Sequence, residues 1–324
     1  MNRLLVGCAA GLILGAAAGY WAGHARTPGG ASPILRQEGE SLISPLLDLA
    51  DLDGFIDVSP AKAIKALSGR IVASGRASQL AVYFRDLDNG PWFSTDPNAE
   101  FSPASLLKVP ILIAVLKQAE SESALLGLKV QYVPAGVTEA QAIIPLSPLK
   151  LGQWYTVEEF LRAMIVHSDN NAAYALLTRV KPELLEGVYR ELHVSSPDPL
   201  KPDDWITVKQ YSSFFRILYN ASYLNKKMSK KALEILTQVE FREGIVAGVP
   251  KGMVVAHKFG ERRLPDGGLV QLHDCGIVYY PEQPYVLCVM TRGKDLFKLT
   301  GVLKEISEEV YREVDLQYKA KKAR

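Results

Sequence analysis

The chain has 324 residues, 48% of them hydrophobic and 22% charged, with a formal net charge of +2. That is enough apolar sequence for a large core in two lobes, and too weak a field to draw in nucleic acid. The basic tail Lys319-Ala320-Lys321-Lys322-Ala323-Arg324 reads as a solvated helix end.

Leu4 to Ala22 carries no charge, follows Arg3 and has Tyr20-Trp21 near its far end. A bilayer span takes about 20 apolar residues, so this segment is expected to anchor the chain, amine inside and everything after His24 outside. The rest of the chain is then extracytoplasmic. It is tethered if the segment is retained, the reading favoured here, or secreted if a peptidase cuts near Ala16-Ala17-Ala18 or Ala22-Gly23-His24-Ala25. Gly7, Gly11, Gly15, Gly19 and Gly23 share one helix face, which suggests dimerisation through the anchor. The expected division is a signal or anchor segment over 1–25, a linker over 26–58 and a globular domain over 59–324. The linker is expected to dock partly around Leu46-Leu47-Asp48-Leu49.

A helix is predicted from Pro60 to Ser74, with proline in its first turn, then strands from Gln79 to Asp86 and Trp92 to Thr95 around the hairpin signal Asn89-Gly90. Next, Ser105-Leu106-Leu107-Lys108 opens an apolar helix that runs to about Leu116. A spacing of three puts hydroxyl and amine on one face. If burial or positive charge lowers the Lys108 pKa, that amine can take the serine proton without a histidine. A second S-x-x-K, Ser147-Pro148-Leu149-Lys150, sits between Pro145 and Gly152 and reads as loop.

Thr156-Val157-Glu158-Glu159 is a capping box, and helices are predicted over roughly 171–180, 182–192, 207–221 and 229–239. The helix opened by the capping box ends at His167, and between it and the helix from Asn171 lies the short polar loop Ser168-Asp169-Asn170. Strands follow from Met253 to Phe259, Gly268 to Tyr280 and Tyr285 to Thr291, then a helix from Lys294 to Tyr318. Lys258-Phe259-Gly260 ends the first of these strands, where a lysine can hold a carboxylate and a bare backbone can pair with substrate. The simplest register sets Cys288 opposite Ile277 and Cys275 opposite Met290, so two buried thiols are expected. The histidines, His24, His167, His193, His257 and His273, show no metal-ligand spacing.

The element order implies an α+β fold: a five-stranded antiparallel sheet built from both chain ends and flanked by terminal helices. The α/β lobe comprises 59–101 and 243–324, and an all-helical lobe is inserted over 102–242. A catalytic cleft is expected between the lobes.

With S-x-x-K, S-D-N and K-x-G in this order, the chain resembles the class A β-lactamase-like family of penicillin-recognising serine hydrolases over about residues 60 to 315. The resemblance implies that Ser105 is the nucleophile, Lys108 its base and Ser168 a proton relay to the leaving nitrogen. It also implies that Asn170 bonds the substrate amide, that Lys258 faces its carboxylate, and that Gly260 and Glu261 complete the substrate-binding edge. The oxyanion hole is then formed by the N–H groups of Ser105 and Glu261, and no cofactor or metal is implied. The implied substrate is a small β-lactam or a cell-wall peptide.

Two departures bear on function. Phe259 stands where the family has a hydroxyl, and the stretch from His193 to Asp204 is too short for the family's loop and lacks its water-activating glutamate; Asp198, Asp203 and Asp204 are the nearby acids. An acyl-enzyme that is slow to deacylate is therefore expected. The alternatives are a D,D-peptidase or penicillin-binding protein, and a catalytically silent protein that uses the same cleft for binding.

Overall fold

The computed structural model describes residues 41–45, 59–88, 90–136, 142–143, 146–197, 203–264 and 268–323. The anchor over Leu4 to Ala22, its glycine face and the docking segment Leu46 to Leu49 lie outside the described residues. Just before that segment, Ile43 is buried and the Ser44 amide donates to the Tyr219 carbonyl at 2.8 Å.

Helix α1 (Ser59–Ala73) leads into β1 (Gln79–Asp86) and β2 (Trp92–Ser94), an antiparallel pair with Gly90 at φ 84° between them. A 3-10 turn at Ala104–Leu107 runs directly into α2 (Lys108–Ser121). The short strands β3 (Lys129–Gln131) and β4 (Trp154–Thr156), which the sequence pattern did not announce, pair antiparallel with one another within the inserted segment. Then come α3 (Val157–Val166), α4 (Asn170–Leu177), α5 (Pro182–Glu191), α6 (Val208–Tyr219) and α7 (Lys226–Leu236). The chain closes with β5 (Val255–Arg263), β6 (Val270–Val278), β7 (Tyr285–Gly293) and α8 (Leu296–Lys322).

The main sheet has the order β2-β1-β7-β6-β5, so strands from both ends of the chain meet at the β1–β7 seam. All nine residues of β6 are buried, which alternation with one wet face would forbid; both faces of the sheet are covered. Helix α8 packs on β6 and β7 together with α1, while α6 of the helical lobe lies against β1, β6 and β7.

The cysteine expectation is corrected. Cys275 pairs directly with Cys288 across β6 and β7, with a Cα separation of 4.0 Å, and the two are disulfide-bonded. The register is two residues away from the simplest one because β6 ends at Val278. The Tyr279 amide turns to the Val254 carbonyl at 3.0 Å, and Tyr280 leaves the strand to pack its ring against Tyr311 and edge-on to Tyr318 and to bond Asp315 at 3.0 Å. The connection therefore spans residues 279–284 and brings the sulfurs opposite one another.

Candidate active site

Ser105 sits on the 3-10 turn in front of α2, where residues three apart eclipse one another. Its side chain is thereby set beside Lys108, whose Nζ lies 2.8 Å from Ser105 Oγ. The turn is held from below. Pro110 has no N–H to offer the Leu106 carbonyl four residues earlier, and the buried Tyr211 hydroxyl of α6 donates to that carbonyl at 2.9 Å. Tyr211→Phe should lower stability by about 1 kcal/mol, read as a smaller midpoint in urea unfolding.

The second motif closes over the same amine. Lys108 Nζ is 2.7 Å from the Ser168 carbonyl, 3.1 Å from Ser168 Oγ and 2.6 Å from Asn170 Oδ1. Ser168 adopts φ 54° and Ala104, next to the nucleophile, φ 48°. Left-handed backbone at residues with a Cβ costs on the order of 1–3 kcal/mol each, and here both strained residues aim a serine of the cleft. Asp169 caps α4 by accepting from the Ala172 amide at 2.9 Å, and Tyr132 donates to its other oxygen at 2.7 Å. The loop is therefore fixed from two sides.

The third motif lies on β5, the last strand in the sheet order. Lys258 is fully buried, and its Nζ donates to Ser168 Oγ at 3.1 Å and to the Phe259 carbonyl at 2.9 Å. Gly260 is required by close approach: a Cβ there would stand 2.8 Å from the Pro103 carbonyl oxygen and 3.0 Å from the Leu106 nitrogen. That contact seats β5 against the serine turn. Glu261 lines the same cleft of about 260 Å³ as Ser105, Lys108 and Asn170.

Burial pushes the Lys108 amine down to about 7, against the opposing pull of the Asp169 carboxylate. Burial, and then the neighbouring Lys108 charge, push Lys258 well below the ordinary lysine value. A neutral Lys108 fits its surroundings atom by atom. The Ser168 carbonyl and Asn170 Oδ1 can only accept and take its two N–H groups, which leaves the lone pair for the Ser105 hydroxyl.

Of the residues singled out in the sequence, Ser105, Lys108, Ser168, Asn170, Lys258, Gly260 and Glu261 converge here. Ser147 and Lys150 do not; they lie in a stretch without secondary structure, with Lys150 exposed. Three contributors escaped sequence reading: Tyr211, Tyr132 and the carboxylate of Glu261. The last accepts from the Ala142 and Ile143 amides and so ties the insertion loop to β5, while its Oε2 has no hydrogen-bond partner among the described residues.

Phe259 turns its ring into the core, 4.5 Å from the Phe241 ring, and offers the cleft no polar atom from its side chain. His257 and Asp274, both fully buried, bond at 2.8 Å in the adjoining core. Asp203 is paired with Arg262 at 3.0 Å, and Asp204 with Arg292 at 2.5 Å and Gln271 at 2.7 Å. Asp198 lies outside the described residues.

A serine and a buried, low-pKa lysine at the junction of an antiparallel sheet and a helical lobe define the fold of the β-lactamase-type serine hydrolases. The sequence matches the Beta-lactamase enzyme family over residues 59–314, most of the chain, and the protein belongs to that family. It is 25% identical over 206 residues to β-lactamase VEB-1 of Pseudomonas aeruginosa, a match covering 56% of this chain and 66% of that protein, just under two thirds. The structure of a class A β-lactamase from Mycobacterium abscessus superposes with a TM-score of 0.67 at 22% identity, over 78% of this chain and 99% of the other. A variant of PBP-A in its acyl-enzyme complex with penicillin G superposes with a TM-score of 0.64 at 23% identity, over 79% and 96%.

Proposed function

We propose that the protein is an acyl-transfer enzyme that opens a β-lactam or a related amide through an ester on Ser105, and that this ester is slow to hydrolyse. The observation that carries the reading is the hydrogen bond of 2.8 Å between Ser105 and a buried Lys108 whose pKa lies near 7. Neutral Lys108 takes the Ser105 proton as Oγ bonds to the carbonyl carbon. The N–H groups of Ser105 and Glu261 receive the oxyanion, which is worth about 10²–10³ in rate per donor. The tetrahedral species then expels its nitrogen, the C–N bond breaks, and the nitrogen takes its proton from Ser168. Ser168, bridged by both amines at 3.1 Å, regains a proton from Lys108. Asn170 is assigned to the substrate amide, and Lys258 to the substrate carboxylate.

The Cys275–Cys288 bond supports an extracytoplasmic site of action, because disulfides persist in oxidising compartments. The apolar segment Leu4 to Ala22 would hold the enzyme at the membrane. Among the described residues no helix is long and apolar enough to cross one.

Intact-mass measurement after exposure to penicillin G should show one adduct on the wild type and none on Ser105→Ala. An adduct that survives the substitution would refute the nucleophile assignment. A D,D-peptidase acting on cell-wall peptides is the second reading, favoured by the ion-paired state of Asp203 and Asp204. Release of D-alanine from a peptide, without turnover of a chromogenic cephalosporin, would select it.

A further inference from the structure

A second cavity of about 640 Å³ adjoins the serine cleft, and the two share Leu107 and Ile111 as a common wall. It is larger than the cleft itself and lies within the size range of small-molecule sites. Its lining is mainly apolar, with Leu177, Leu185, Tyr189 and Val194 among the residues, and its charged members Glu186 and Arg190 are exposed at the rim. Leu177 remains 43% exposed there. Val194, Ser196 and Pro197, after α5, form part of its wall.

We propose that this cavity is an acyl-chain subsite, which takes a long apolar group on the acyl side of the scissile amide. The assignment rests on the acyl-transfer reading of Ser105. In that reading the leaving nitrogen and its carboxylate face Ser168 and Lys258, while Asn170, assigned to the substrate amide, lines the serine cleft together with Leu107 and Ile111, which also wall the larger cavity. The limb beyond Leu107 and Ile111 is therefore left for the other half of the substrate, the part that stays on the enzyme as the ester. Its walls offer dispersion contacts and no buried charge, so an unbranched alkyl or aryl-alkyl chain is the chemistry it fits.

The test uses penicillins whose side chain is acetyl, butanoyl, hexanoyl, octanoyl or decanoyl, with the rate of adduct formation followed by intact mass. Burial of a methylene contributes enough to raise the rate about three- to fourfold for each that enters the cavity. In Leu185→Trp, and independently in Leu177→Trp, the decanoyl-to-acetyl ratio should fall by at least about tenfold, as the indole fills the space. Leu316→Trp, toward the C-terminal end of α8 and lining neither cavity, should keep the ratio. Equal rates along the series, with Ser105 labelled throughout, would overturn the subsite and leave the acyl-transfer reading standing. So would a chain-length dependence that persists in both tryptophan variants. No label from any donor would overturn the acyl-transfer reading, and the subsite with it.

Discussion

Lys108→Met should slow acylation of Ser105 by about 10²–10⁴-fold, the usual contribution of a positioned general base. In the unaltered protein the acylation rate should rise with pH through a midpoint near 7 and then level off. The sign follows from burial: Lys108 holds a proton below about 7 and is then no base, while above it the lone pair faces the Ser105 hydroxyl. At about pH 5 only about 1% of the amine is neutral, so acylation should run about a hundredfold below its plateau. Single-turnover mass measurements across the pH range check this. A flat profile, or wild-type acylation by Lys108→Met, would refute the role. The same shift has a sign in stability. The unfolded chain keeps the lysine proton up to its ordinary value of 10.5 and the folded chain only to about 7, so this group adds stability as pH rises through that window.

That pair was legible in the sequence because its geometry is local: three residues on one turn fix the distance before any tertiary contact forms. The capping box at Thr156 was legible for the same reason, and the Glu159 amide does donate to Thr156 Oγ1 at 3.2 Å. The three motifs also predicted a single cleft, because the resemblance supplied the long-range placement that spacing cannot. What stayed hidden depended on partners far along the chain. Tyr211 holds a carbonyl 105 residues earlier, and nothing in its helix announces that. The register of β6 and β7 was set by where Tyr279 and Tyr280 leave the strand, so the disulfide could not be read from the turn. In the sequence, Phe259 read as a missing hydroxyl at the third motif. In the fold it is a core residue packed against Phe241, and the lysine before it keeps its place on Ser168.

The penicillin adduct on Ser105 should outlast one on an enzyme with a water-activating base by about 10²–10⁴-fold, and should still be visible by intact mass minutes after excess ligand is removed. Release of the ester requires a carboxylate or other base free to take a proton from water. Asp203 and Asp204 are committed to Arg262 and Arg292, and neither lines the serine cleft. Glu261 does line it, but one oxygen is occupied by the Ala142 and Ile143 amides, and burial raises its pKa and so weakens it as a standing anion. The same acid is nonetheless the carboxyl group best placed to betray the prediction. If the adduct disappears within seconds, slow deacylation is refuted, and Glu261→Gln then decides the cause: a longer-lived adduct in that variant would identify Glu261 as the base that frees the serine. If the adduct persists in the wild type, Asp204→Asn and Glu261→Gln should leave its lifetime unchanged, because neither acid is then working on the ester.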